Sequence, residues 1–320
     1  MKLFKNISLI YECDQLTLEK AALLAQENQA RLTIVHAIKE FPTSWNQVYV
    51  DDKPIDVKKL VLEDQQERLD KIASSIHSLG LSPKTRLLEG EPFVEIIRDV
   101  IENDRDLVVM TADRKAGWKS FFFGSTVSKM MRDCPCPVLA LKPTEHKGFK
   151  RILVAVDPVL VGDSHDTLNK AILELASSLA KLEGAEIHVV HAWRLVGENM
   201  MRGRFLVPDA DVDFAVQREF EKRRDLVQDL LAKTGIPSEH VHLPKGDAVH
   251  AIPELVKELG ADLLVMGTVC RTGIPGFIMG NTAEQVLGVV ECSTLTVKPE
   301  GFVSPITPHV STSRTTLTES

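Results

Sequence analysis

The chain states one plan twice. Asp106-Leu107-Val108-Val109-Met110-Thr111 returns as Asp262-Leu263-Leu264-Val265-Met266-Gly267, and 262 minus 106 is 156. Gly124 returns as Gly280, Cys136 as Cys292 and Lys142-Pro143 as Lys298-Pro299, all at that offset of 156 residues. A period this long describes a whole domain rather than a solenoid turn, so the chain is expected to fold as two like units. The 320 residues are enough for two cores. The boundary falls in the linker from Thr144 to Phe149, giving units over 1–146 and 147–302. The tail over 303–320 is rich in Ser, Thr and Pro and is expected to be disordered.

The second unit is the clearer copy. Arg151 to Val156 is a short apolar run closed by Asp157, which suits a buried parallel strand. Leu168, Ile172, Leu175 and Leu179 follow at helical spacing, and Ile187 to Ala192 reads as a second strand. A charged helix from about Asp213 to Lys233, a strand near Val241, and a helix that Asp247 can cap come next. Pro253 argues that this last helix becomes regular only at the proline itself. Asp262 to Met266 is the fourth strand, Ala283 to Val289 the fourth helix and Thr294 to Val297 the fifth strand. The first unit repeats the order. Strands alternating with helices predict a parallel sheet covered on both faces, with ligands at its carboxyl edge where strand order reverses. Ile7 to His36 spans 29 residues but Ile152 to His191 spans 39, so about ten extra residues, placed in Pro158 to Thr167, are expected on the rim of that edge.

Composition narrows the function classes. Hydrophobic content of 44% with 26% charged residues suits a globular chain, and no apolar run reaches the length needed to span a bilayer. The amino terminus leads straight into a strand without a signal-peptide pattern, and five cysteines form no disulfide framework, so a cytoplasmic location is expected. A net charge of -7 argues against nucleic acid as the main partner. Lys222-Arg223-Arg224, set among acids, reads as a solvated helix face.

After the fourth strand of the second unit stand Gly267-Thr268-Val269-Cys270, nine residues, and then Gly280-Asn281-Thr282. Glycines let backbone amides approach an anion, and the following helix start offers free donors with partial positive charge. Asn281 with Glu284 three residues on also suits a capping box. The spacing resembles that of the universal stress protein family, whose nucleotide-binding members carry Gly-x2-Gly-x9-Gly-Ser/Thr at this point. The resemblance covers nearly the whole chain: the acid after the first strand, the His on the second and the last strand ending in Lys-Pro fall in family order. The chain looks like a tandem, E-type member.

That resemblance implies two Rossmann-like α/β domains, each a five-stranded parallel sheet with helices on both faces, whose last strands pair so that the halves form an internal pseudo-dimer. It implies an adenine nucleotide (ATP, ADP or AMP) as ligand, no metal beyond its Mg, and a stress-response or regulatory role for a monomer or homodimer. In the second half Asp157, Pro158, Ala192, Met266 and Gly267 would meet adenine and ribose, while Gly280, Asn281, Thr282 and Ala283 would meet phosphate. Cys270 stands where the family has its second glycine. In the first half Glu12 replaces Asp157, and Thr111 and Arg114 replace both early glycines. Gly124, Ser125 and Thr126 remain, so that copy reads as degenerate.

Other residues carry plainer readings. His240 and His242 share a strand face with His250 nearby, yet no known zinc spacing accompanies them. Cys134, Cys136 and Cys292 read as buried thiols. Met200, Met201, Phe205, Leu206 and Phe214 lie in Val196 to Ala215, either a packed loop or a lid over an apolar or nucleotide-sugar-like ligand. No catalytic motif is evident, and no residue is placed to position an attacking water, so at most slow ATP hydrolysis is expected. A non-binding interaction scaffold is the third alternative.

Overall fold

The computed structural model describes residues 3–11, 14–42, 48–50, 53–112, 125–142, 148–158, 163–203, 205, 207–268 and 280–309. In the first half, β1 (Asn6–Ile10), α1 (Gln15–Asn28), β2 (Arg31–Ile38), a hairpin of β3 (Val48–Val50) and β4 (Lys53–Ile55), and α2 (Val57–Ser75) come first. Then follow β5 (Lys84–Glu89), α3 (Pro92–Glu102), β6 (Leu107–Thr111), α4 (Ser125–Asp133) and β7 (Val138–Leu141). The second half begins with β8 (Arg151–Ala155), α5 (Asp163–Glu183), β9 (Glu186–Val190), α6 (Glu198–Gly203) and α7 (Asp209–Leu231). It ends with β10 (Val241–His242), α8 (Ala248–Leu259), β11 (Leu263–Gly267), α9 (Asn281–Val289) and β12 (Ser293–Val297).

The two five-stranded parallel sheets merge into one sheet of 10 strands, ordered β10-β9-β8-β11-β12-β7-β6-β1-β2-β5. Only β12 and β7 run antiparallel, and there Leu295 faces Leu139. Those two leucines are related by the 156-residue repeat, so the pseudo-twofold axis of the duplication passes through their pairing. One apolar core lies on each face of the sheet. The first is covered by α1, α2, α5 and α7 and the second by α3, α4, α8 and α9, and each runs without interruption from one half into the other. The central strands are buried on both sides: β7 is wholly apolar, while β1 also buries Asn6 and Ser8 and β12 also buries Ser293, Thr294 and Thr296.

The duplication also repeats local chemistry. The Asp106 carboxylate accepts the Lys5 and Asn6 amides at 2.6 and 3.0 Å, and its counterpart Asp262 accepts those of Lys150 and Arg151 at 2.7 and 3.2 Å. Each acid thereby closes the start of its half's first strand. Across the axis, Lys142 donates to the Val290 carbonyl at 2.6 Å, and Lys298 donates to the Met131 and Arg132 carbonyls at 2.8 Å. Each lysine caps the carboxyl end of the other half's last helix, where free carbonyls and the helix dipole favour a cation. Burial pushes both ammonium groups down to about 8.

Three expectations need correction. The insertion after β8 is not confined to a loop: α5 has 21 residues against 14 in α1, so much of the extra length extends the helix. The helix carrying Pro253 starts at Ala248, before the proline, and Asp247 at its N-cap makes no side-chain cap but pairs with Arg194 at 2.6 Å. Residues 303–309 do not behave as a free tail. Ile306 packs on the second core, Arg98 donates to the Thr307 carbonyl at 3.2 Å, and His309 Nδ1 lies 2.9 Å from Glu102.

Candidate functional site

In the second half β8 and β11 are neighbours, while their sequence successors β9 and β12 lie on opposite sides of the pair. Strand order therefore reverses between them, and the carboxyl ends of such a pair open a crevice. Asp157 and Pro158 follow β8 on one side of it, and Met266 and Gly267 end β11 on the other. Asp157 is held by its backbone. Asn169 on α5 accepts the Asp157 amide at 3.1 Å and donates to its carbonyl at 3.0 Å, a contact the sequence reading missed. Ala192 follows β9 between His191, whose Nδ1 lies 3.2 Å from the Val156 carbonyl, and buried Trp193.

The start of α9 is tied to this crevice. The Gly280 amide donates to the Thr268 carbonyl at 3.0 Å, and Gly280, not Asn281, is the N-cap. The capping box does not form: no side chain caps α9, and Glu284 instead pairs with Arg132 at 3.0 Å. The first intrahelical bond runs from the Glu284 amide to the Gly280 carbonyl at 3.0 Å. The amides of Asn281, Thr282 and Ala283 therefore precede the ladder and point out of the helix end as donors. Thr268 is fully buried, and its hydroxyl accepts from Lys298, so the residue that receives the Gly280 amide is itself anchored.

Gly267 has little room beneath it. A Cβ there would come 2.9 Å from Leu168 Cδ2. Its first-half counterpart Thr111 is accommodated because the partner helix starts differently: the Thr111 hydroxyl donates to Thr17 at 3.0 Å and accepts the Asp14 amide at 3.4 Å. Threonine thus bonds the start of α1 at the position glycine holds in the second half. Thr126 lies in the first turn of α4, which begins at Ser125. Glu12, Arg114, Gly124 and Cys270 lie outside the described residues.

Among the described residues, no group of three or more His, Cys, Asp or Glu side chains is arranged to hold a metal. His188 joins His242 at 3.1 Å and stacks on His240 with ring centroids 4.3 Å apart. Burial first, then the adjoining imidazoles, holds His188 below its ordinary value. Cys134 and Cys136 lie 3.6 Å apart and buried, and burial pushes Cys292 up to about 12.

The universal stress protein family model matches residues 11–142 and again 148–298. The chain belongs to the universal stress protein family. As a tandem member it is similar to universal stress protein E of Escherichia coli (strain K12), with 26% identity over 313 residues, covering 96% of this chain and 98% of that protein. The Haemophilus influenzae homologue is 26% identical over 305 residues, covering 92% and 98%. Among solved structures, a functionally unknown protein of Pseudomonas aeruginosa PAO1 superposes with a TM-score of 0.72 at 25% identity over 93% of this chain and 94% of that one. A family protein from Archaeoglobus fulgidus shares the fold, with a TM-score of 0.60 at 19% identity over 92% and 96%.

Proposed function

We propose that this universal stress protein binds an adenine nucleotide at the carboxyl edge of its second half, in a cytoplasmic stress-response or regulatory role. The observation carrying the reading is the uncapped start of α9, with Gly280 at its N-cap and the three following amides ahead of the helical ladder. Such an end attracts an anion through both hydrogen bonds and the helix dipole. Asp157, fixed through Asn169 on α5, supplies an acceptor for ribose hydroxyls. The arrangement recommends binding rather than turnover, because electrostatic clamping alone supplies no aligned nucleophile. Calorimetric titration with ATP in Mg-containing buffer tests it. Saturable one-to-one heat should appear in the wild type and vanish in Gly280→Trp, whose side chain would cover the helix end; identical heats in both proteins would move the site elsewhere.

A second reading rests on a separate observation. Met200, Phe205 and Phe214, on and between α6 and α7, are exposed, the last two at 63% and 66%. Large apolar side chains grouped on a surface mark a contact region for an apolar ligand or partner. Arg202, paired with Asp213 at 2.5 Å and with Asp209 at 3.1 Å, holds the two helices together as one flap.

A further inference from the structure

The first half carries a basic cavity at the opposite edge of the sheet from the nucleotide crevice. It encloses about 360 Å³ at the amino ends of β1, β2 and β5, and the bend before β6 closes it. That edge is about 16 Å from the carboxyl edge, taking five residues per strand at the usual rise. Four cations line it: Arg31, Lys84, Arg86 and Arg105. One carboxylate organises two of them. Asp99, almost completely buried, takes Arg86 Nε at 2.7 Å and Arg105 Nε at 3.1 Å, while Arg105 Nη1 donates to Asn6 and Thr33 at 2.8 and 2.7 Å. Arg86 Nη1 donates to Asn103 Oδ1 at 3.1 Å, so each guanidinium group keeps its Nη2 for another acceptor. Arg31 and Lys84 have no ion-pair partner among the described residues. Asp104 and Asp106 flank Arg105 in the chain, Asp106 accepting the Lys5 and Asn6 amides, while Glu102 meets His309. Counting Asp99, Asp104 and Asp106 against the four cations leaves a local excess of about one positive charge in a chain whose net charge is -7.

The duplication shows that the fold does not require this arrangement. Ile7 pairs with Leu32 as Ile152 pairs with Ile187, so Thr33 corresponds to His188. Ile34 pairs with Thr85 as Val189 pairs with Val241, so Lys84 and Arg86 correspond to His240 and His242. At the 156-residue offset Arg105 becomes Ala261 and Asp99 becomes Leu255. In the second half the same place is taken by three packed imidazoles, apolar side chains and the Arg151–Glu186 pair at the positions of Asn6 and Arg31, and that sheet forms equally well. The cations are therefore a property of the first half alone.

We infer that this cavity is a second ligand site, for a small organic phosphate. Planar guanidinium groups suit phosphate oxygens in paired hydrogen bonds, and the two unpaired rim cations add charge without the cost of breaking existing pairs. Leu32, Leu81 and Pro83 supply an apolar wall for the carbon portion, and the volume falls in the range of small-molecule pockets. The site is independent of the nucleotide crevice in both position and half.

Phenyl phosphate is the probe, titrated calorimetrically into the full chain, into Gly280→Trp, and into an Arg31→Glu/Lys84→Glu double variant. Arg31 and Lys84 are exposed and unpaired, so the double variant should keep the wild-type Tm and circular dichroism. One-to-one binding should persist in Gly280→Trp and weaken by about tenfold or more in the double variant. Absence of saturable binding at millimolar phenyl phosphate, or equal binding by the folded double variant, would overturn the inference. Failure of ATP binding in the other half would leave this result untouched.

Discussion

At the scale of single residues, the duplication provides internal controls. Gly267 and Thr111 occupy one position in two environments, and the difference lies in the helix facing them: Leu168 approaches Gly267, whereas Thr17 and Asp14 bond to the Thr111 hydroxyl. Gly267→Thr should destabilise the protein by about 1–3 kcal/mol through overpacking, measured by urea denaturation. Thr111→Gly should not improve stability, because it removes a bonded hydroxyl and adds chain entropy. The imidazole cluster makes a pH prediction. Burial, followed by the neighbouring rings for His188 and, for His242, by His240 against an opposing pull from Glu258, leaves both rings below their ordinary value of 6.5. Between that value and the lowered ones the unfolded chain binds more protons than the fold, so stability falls as pH drops below about 6.5. Thermal melts of the wild type should show this loss, and His188→Leu/His242→Leu should flatten it.

At the scale of elements, the sequence made most of the sheet legible and left its fastenings hidden. Short apolar runs such as Leu107 to Met110 and Leu263 to Met266 can only be buried parallel strands once helices alternate with them, and both form as read. The start of α9 departs from the local capping pattern that Asn281 and Glu284 satisfy. Tertiary pairing drew Glu284 to Arg132 and left glycine at the cap. The extension of α5 was invisible because the inserted residues carry loop signals at Pro158 and Gly162, and Asp163-Ser164-His165-Asp166-Thr167 after them are weak helix formers that favour turns and caps. Asn169 gave no signal, since its partner is a backbone group on another element. The reciprocal lysines were equally silent, although the repeat marked Lys142 and Lys298 as a matched pair. Their role yields a prediction of opposite limb. With both ammonium groups pushed down to about 8 by burial, the unfolded chain binds more protons between about 8 and the ordinary lysine value of 10.5. Stability should rise with pH across that window by at most about 1.4 kcal/mol per pH unit for each lysine, and Lys142→Met/Lys298→Met should remove that rise in denaturation at stepped pH.

At the scale of the whole molecule, two sheets have become one, and continuous cores on both faces bind the halves into a single cooperative body. A buried ion pair reinforces the junction: Lys20 on α1 meets Glu183 on α5, both side chains about 5% exposed, with Lys20 also 4.2 Å from the Phe149 ring centroid. Removing one partner strands the other charge. Lys20→Met should cost about 3–5 kcal/mol in equilibrium unfolding, and adding Glu183→Leu should restore most of it, while additive losses would show that the two do not act as a pair. Within this frame the halves have diverged at both edges of their sheets. The second half has Gly267 and Gly280 at its carboxyl edge and fills its amino edge with histidines, whereas the first carries Thr111, bonded to α1, at the place of Gly267 and opens its amino edge among arginines. The central claim, that the uncapped α9 end receives the phosphates of an adenine nucleotide, is tested most directly by mass spectrometry of whatever is released on denaturing protein purified without added nucleotide. ATP, ADP or AMP in near-equal amount to the wild-type chain, and none from Gly280→Trp, is the predicted result. A lipid-like mass in its place, or nucleotide retained equally by Gly280→Trp, would contradict it.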